Sequence, residues 1–209
     1  MATPVTISRP FEVGTMGWTA ADLDDPQIER EWFAGRYEIV EGVLTKMPPA
    51  YFAGGSGLFE LLGELRDYLK RNRRSDRIGT EVDIVVDEAR VAVADAVLLN
   101  SADQRRQSEA ARKAGRKDPR RTRILVPPTL IIESTSPGHE LHDRRTKRNW
   151  YAEFGVPNYW LLDAFDESLQ CLVLQRGKYV VDVAGRSQEE VRPSIFPGLV
   201  IALKDIWPT

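Results

Sequence analysis

The clearest periodic pattern of apolar residues lies between residues 56 and 71 and predicts an amphipathic α-helix. Its apolar positions recur three or four residues apart, so they share one helical face. Ser56 is a suitable N-cap, because its hydroxyl can accept a hydrogen bond from the first backbone N–H groups. A second helix is predicted over residues 19–35, with Thr19 as its N-cap and Gly35 near its end. The apolar stripe of the longer helix comprises Leu58, Leu61, Leu62, Leu65, Tyr68 and Leu69.

β-branched and aromatic residues concentrate in short runs, which predict strands. Residues 79–99 predict a β-hairpin with a polar turn at residues 87–89, and residues 36–47 predict a smaller hairpin with a turn at Glu41-Gly42. Helices interspersed with strands place the chain in the α/β class, with a mixed sheet flanked by helices. Further strands are expected within residues 122–134, 158–164, 169–175 and 178–184.

A helix is also predicted over residues 142–154, because clear stop signals follow it. Gly155 can take the left-handed conformation that ends a helix, and Pro157 lies just beyond. The preceding region, residues 101–123, is polar, basic and weakly helical, and we interpret it as a long insertion.

Length and composition restrict the overall organisation. The 209 residues, of which 42% are hydrophobic, suffice for one compact domain with a real core. We expect an N-terminal helical extension over residues 1–35 and a single domain over residues 36–209. Cys171 is the only cysteine, which fits a reducing compartment. No signal peptide and no membrane-spanning apolar run is evident, so a cytoplasmic protein is expected.

Charge is unevenly distributed, although the net charge is only −2. Basic residues cluster in residues 70–77, 105–123 and 143–148. Such patches on a nearly neutral protein suggest a polyanionic partner. Solvated loops and helix faces explain any single cluster equally well.

Three acidic residues interrupt or end the predicted strands. Asp83 and Asp95 lie in the two strands of the larger hairpin, and Glu133 ends an apolar run. A buried carboxylate is unfavourable unless it is paired, protonated or bound to a metal. Lys147 could supply the pairing charge, because the helix after Glu133 can fold back over the strand. The residues Asp143, Lys147 and Tyr151 are spaced four apart, so they lie on nearly one helix face.

Two interpretations of these acids remain open from the residues alone. Several carboxylates that converge with a lysine suit a hard cation such as Mg²⁺, which takes oxygen ligands. Alternatively, Asp95 and Glu133 are structural acids satisfied by Lys147 or by arginines, or Lys147 is a surface residue of an arginine-rich helix.

The order of motifs resembles the putative restriction endonuclease family of the Uma type, formerly a domain of unknown function. That family belongs to the PD-(D/E)xK nuclease superfamily. The resemblance covers roughly residues 36–179 and is densest from Glu133 to Asp163. There the chain has, in matching order, Glu133, Ser136-Pro137, Asp143, Lys147, Tyr151, Gly155-Val156 and Tyr159-Trp160.

The resemblance implies a restriction-endonuclease-like fold and a set of site residues. Asp95 matches the aspartate of the PD pair, and Glu133 matches the (D/E) position. Thr135 stands at the usual lysine position, so Lys147 on the helix takes that role. Asp83 matches a further acidic position, as does Glu38 or Glu41. Ala94 replaces the usual proline, and the histidine that often precedes the long helix is missing.

By this resemblance, the leading hypothesis is a Mg²⁺- or Mn²⁺-dependent endonuclease acting on DNA. Asp95 and Glu133 would bind the metal, with Asp83 as a further candidate ligand, and Lys147 would position the nucleophile. The basic segments would hold backbone phosphates, and a homodimer is expected. The alternative is a catalytically inactive module of the same fold that binds nucleic acid or a protein partner.

Overall fold

A computed structural model of the chain describes residues 10–47, 51–115, 122–135 and 142–207. The chain divides into two compact units. The first comprises Met1–Pro48 with Asp87–Ala92, and the second comprises Pro49–Val86 with Val93–Thr209. The expected boundary near residue 35 stays a prediction.

The described residues of the first unit form a short α-helix and a small hairpin. Helix α1, Pro26–Phe33, follows a 3₁₀ turn at Asp22–Asp24. Asp25 caps α1 by accepting hydrogen bonds from two backbone N–H groups, and Pro26 occupies the first helical position. The prediction of a helix that starts after Thr19 was therefore wrong, because the aspartate-proline pair sets the start.

The predicted hairpin of the first unit is confirmed. Strands β1, Tyr37–Val40, and β2, Val43–Lys46, are antiparallel. Glu41 and Gly42 form the turn with φ values of 50° and 76°, which match the right-handed twist of a hairpin. Within this unit, Glu38 is buried and Glu41 is exposed.

The predicted larger hairpin is also confirmed, by β3, Arg77–Asp87, and β4, Arg90–Leu99. Strand β4 pairs antiparallel with β5, and β5 pairs parallel with β6. Strands β7 and β8 continue the sheet in antiparallel order, and β9 and β10 form a separate pair. The remaining bounds are β5 Leu130–Thr135, β6 Asn158–Asp163, β7 Ser168–Gln175, β8 Lys178–Arg186, β9 Glu190–Val191 and β10 Ile201–Ala202.

Two helices of the second unit differ from the prediction, because one is longer and the other is more regular than expected. Helix α2, Phe52–Arg71, begins before Ser56, and Tyr51 stands at its N-cap position. Helix α3, Ser101–Lys113, is a regular helix at the start of the predicted insertion, because Asn100 and Asp103 form a capping box. Within the described ranges, no helix is both long and apolar enough to cross a membrane.

The predicted helix before Gly155 has an unusual first half. His142–Lys147 is π-helical, and α4, Arg148–Phe154, continues it. Gly155 ends α4 with a φ of 88°, as its sequence position predicted. A π-helical segment is rare and often occurs at functional sites.

The hydrophobic core of the second unit lies on one face of its sheet, where α2 packs. Alternate residues of each strand point to this face, because side chains alternate along a strand. The opposite face carries Glu133 of β5, and the buried Tyr151 of α4 contacts it there. The core cluster includes Leu61, Leu65, Tyr68, Leu69, Ala96, Leu98, Leu130, Ile132, Trp160, Leu162 and Cys171.

Replacement of Gly155 by alanine tests the helix stop. Gly155→Ala should lower the free energy of unfolding by about 1 kcal/mol, because an L-residue is strained in the left-handed region. Gly63→Ala is the matched control. Gly63 lies inside α2, and nothing lies within 4 Å of where an added Cβ would stand, so alanine there should raise stability by about 0.5 kcal/mol. Urea denaturation measures both, and changes of the same sign in the two variants would refute this explanation.

Candidate active site

Asp95 and Glu133 lie where the β4–β5 ladder ends. The strands pair through Ala96 with Ile132, and that register continued by one residue sets Asp95 opposite Glu133. The Ser134 backbone N–H donates to Asp95 Oδ2 at 2.8 Å, and the Asp95 N–H donates to Glu133 Oε2 at 3.4 Å. Each carboxylate thus accepts a hydrogen bond from the main chain of the facing strand, which holds both acids close together.

Lys147 reaches this pair from the end of the π-helical segment. Its Nζ donates to the carbonyl oxygen of Val93 at 3.0 Å and lies 3.5 Å from Glu133 Oε1. Only 1% of the Lys147 residue surface is exposed. The lysine therefore extends into the sheet face rather than into solvent, next to one of the two acids.

Tyr151 is a member of the site that sequence reasoning did not assign a role. It lies one helical turn beyond Lys147, and its hydroxyl donates to Glu133 Oε1 at 2.7 Å. The tyrosine is fully buried, and its ring packs edge-on against Tyr159 with 5.5 Å between the ring centroids. The spacing of four between Lys147 and Tyr151 was the available signal, because it places both side chains on one helix face.

Burial makes these contacts energetically important. Glu133 is 2% exposed, and an isolated ionised carboxylate in such a place would cost several kcal/mol. The Lys147 ammonium and the Tyr151 hydroxyl, both at Glu133 Oε1, compensate that cost. Asp95 is only partly buried, so it is the more accessible of the two acids.

The strand position two residues after Glu133, where the family pattern has a lysine, carries no amine. Thr135 stands there, and it is buried and donates through Oγ1 to the carbonyl oxygen of Leu162 at 3.3 Å. The Lys147 ammonium contacts Glu133 from the following helical segment instead. The predicted motif residues Ser136 and Pro137 lie outside the described residues, as does the side chain of Asp143.

Asp83 has a different environment. Its carboxylate Oδ2 accepts a hydrogen bond from Arg123 Nε at 3.1 Å, and both side chains are largely buried. Among the described residues, no group of three or more histidine, cysteine, aspartate or glutamate side chains could hold a metal ion. The role of Asp83 as a metal ligand stays a prediction.

The fold has a solved counterpart. A crystal structure described as a putative nuclease belonging to DUF820, from Anabaena variabilis ATCC 29413, matches with a TM-score of 0.61 and 18% sequence identity. The match covers 81% of this chain and 88% of that one. The likeness supports the predicted fold, a restriction-endonuclease-like mixed sheet flanked by helices.

Comparison of the sequence with family models identifies the family of this chain. No protein of curated function has significant similarity to this chain. The profile of the Uma2 family, described as "Putative restriction endonuclease", matches residues 29–204, which is most of the chain and includes Asp95, Glu133 and Lys147. The chain therefore belongs to the Uma2 family of putative restriction endonucleases, as the resemblance predicted.

Proposed function

We propose that this chain is a divalent-metal-dependent endonuclease that hydrolyses phosphodiester bonds in DNA. Membership of a nuclease-like family supports a hydrolase acting on nucleic acids. The observation that carries the finer proposal is the Asp95–Glu133 pair, which adjacent strands hold together beside the Lys147 ammonium.

The chemistry of the donor set fits a hard divalent cation. Mg²⁺ binds oxygen ligands and commonly uses one or two protein carboxylates, with waters and phosphate oxygens as its other ligands. Asp95 and Glu133 would hold Mg²⁺ or Mn²⁺ here, so a third carboxylate is not required. Such an ion, when bound, neutralises charge on the scissile phosphate and lowers the pKa of the attacking water.

Lys147 has two proposed tasks. Its positive charge beside Glu133 Oε1 favours the ionised carboxylate, which is the form that binds a metal. Its ammonium group would also position the attacking water. Tyr151 orients Glu133 through a 2.7 Å hydrogen bond, so we assign it a positioning role.

Basic side chains outside the site would hold the nucleic-acid backbone. Exposed basic residues lie in two places, at the end of α2 with the start of β3, and on α3. They are Lys70, Arg71, Arg73 and Arg77 in the first place and Arg105, Arg112 and Lys113 in the second. Contacts of this kind bind phosphates without reading sequence, and they weaken as salt rises. A homodimer and a cytoplasmic location stay predictions from the sequence.

One observation favours a second candidate function. Glu133 and Lys147 are both almost completely buried and contact each other, which is also what a purely structural ion pair requires. The second candidate is therefore an inactive module of the nuclease fold that binds nucleic acid or a protein partner. Both experiments below separate this module from the enzyme.

A plasmid-nicking assay tests the proposed activity. The protein should nick supercoiled DNA with Mg²⁺ or Mn²⁺ and not with EDTA. Asp95→Asn should reduce the rate by about a hundredfold or more, because it removes a charged ligand while its amide oxygen can still accept from Ser134 N–H.

Asp163→Asn is the matched control for that assay. Asp163 is a buried carboxylate at the end of β6, and its Oδ1 accepts hydrogen bonds from two backbone N–H groups of the following turn. Its substitution should leave nicking within about twofold of the original rate, since an asparagine can form the same turn contacts. Nicking that persists in EDTA or in Asp95→Asn would rule out the metal-dependent mechanism.

Thermal unfolding of a Lys147 variant tests whether Glu133 binds metal. Lys147→Met should destabilise the metal-free protein by about 3–5 kcal/mol, because Glu133 loses its compensating charge. Mn²⁺ should raise the Tm of Lys147→Met more than that of the original protein, since the cation replaces the lost charge.

The double variant Lys147→Met/Glu133→Gln is the control for that measurement. It should recover most of the lost stability and respond little to Mn²⁺, because it buries no charge at position 133. An equal response of all three proteins to Mn²⁺ would favour the structural ion pair over the metal site.

A further inference from the structure

Two exposed aromatic side chains contact each other at one end of the sheet of the second unit. Tyr51, at the N-cap position of α2, and Phe165, in the turn after β6, are each 51% exposed. Their ring centroids are 6.1 Å apart and the rings are perpendicular. Phe52, next to Tyr51, is exposed as well. Single exposed apolar residues are ordinary on a protein surface, whereas a contiguous aromatic patch often marks a binding site.

The position of this pair follows from contacts of β5 and β6. Asp163, the last residue of β6, pairs with Thr135 at the end of β5, and Phe165 follows two residues later. Gly54, one helical turn beyond Tyr51, lies so close to Ser134 that an added Cβ would be 2.8 Å from the serine hydroxyl oxygen. The aromatic pair is therefore anchored at the same strand end that carries Glu133 and Ser134.

Ser134 connects this aromatic pair to the acids. Its backbone N–H donates to Asp95 Oδ2 at 2.8 Å, while its side chain lies against the first turn of α2. Because successive side chains of a strand point to opposite faces, Ser134 faces α2 and Glu133 faces Lys147. The first turn of α2, which Tyr51 precedes, and the Asp95 carboxylate thus both contact Ser134 of β5.

The glycines of α2 keep its first turns close to the sheet. Glycine inside a helix costs about 0.5–1 kcal/mol relative to alanine. Gly54 nevertheless allows the contact with Ser134, and an added Cβ at Gly57 would lie 3.6 Å from Leu162 and 3.8 Å from Ala164. The two glycines therefore let the start of α2 lie close to β5 and β6, and this close packing places Tyr51 at the strand end.

We infer that Tyr51 and Phe165 form a stacking platform for an unpaired nucleobase, so that the substrate is single-stranded or locally opened nucleic acid. This inference rests on the proposed function, because it takes the acid pair as the site of phosphodiester hydrolysis. Aromatic side chains stack on any base, since every base has a π-face, and this recognition tolerates sequence. Paired bases inside a duplex are already stacked and cannot use the platform.

Fluorescence anisotropy in EDTA tests this inference without any hydrolysis. The probes are a labelled oligothymidine and a labelled hairpin duplex with the same number of nucleotides. The original protein should bind the single strand more tightly than the duplex. Tyr51→Leu/Phe165→Leu should bind the single strand about tenfold more weakly and leave duplex affinity unchanged, because leucine keeps apolar area but offers no π-face.

Phe59→Leu is the matched control. Phe59 is 71% exposed on the same helix but belongs to no described aromatic pair, so its substitution should not change either affinity. Equal losses in the double variant and in Phe59→Leu would overturn the inference, as would unchanged single-strand binding in the double variant.

Analytical ultracentrifugation adds a further test of the Tyr51→Leu/Phe165→Leu variant. Loss of a dimer with unchanged nucleic-acid affinity would overturn the inference and assign the aromatic patch to contact between copies of the chain.

The same titrations separate failure of this inference from failure of the proposed function. Equal binding of duplex and single strand by all variants overturns the platform and leaves the endonuclease proposal standing. Absence of binding to either probe by the folded original protein overturns both.

Discussion

The burial of the Glu133 carboxylate is the constraint on which the arrangement of the site depends. An ionised carboxylate that is 2% exposed must be compensated, and Lys147 and Tyr151 do so at a single oxygen. Both compensating groups come from the segment that follows β5, so that segment must return over the sheet face. Gly155 then ends the helix and lets β6 enter parallel to β5.

Local sequence signals predicted much of this arrangement. Binary patterning and turn chemistry within a few residues predicted three of its features. These are the turn at residues 87–89, the acids at strand positions 95 and 133, and the helix stop at Gly155. The approach of Lys147 to Glu133 followed from one further argument, that a buried carboxylate needs a compensating charge. Family resemblance then assigned roles to these residues, which their spacing alone could not do.

Other features depend on contacts between distant parts of the chain, and the sequence did not reveal them. The bond from Tyr151 to Glu133 and the pairing of Asp83 with Arg123 require the register and the helix path to be known. Helix α2 extends through Gly54 and Gly57 against their low helix propensity, because those glycines allow close packing on β5 and β6. The regular helix α3 carried a local signal, the capping box of Asn100 and Asp103, but its low hydrophobicity concealed it.

We propose above all that Asp95 and Glu133 together hold a divalent cation, because adjacent strands bring these two carboxylates together beside the Lys147 ammonium. Anomalous scattering from crystals soaked in Mn²⁺ tests it most directly. We expect a strong anomalous peak bonded to carboxylate oxygens of both Asp95 and Glu133. Ordered density for the Lys147–Glu133 contact with no anomalous peak at Asp95 would contradict it and leave a structural ion pair in a nuclease-like fold.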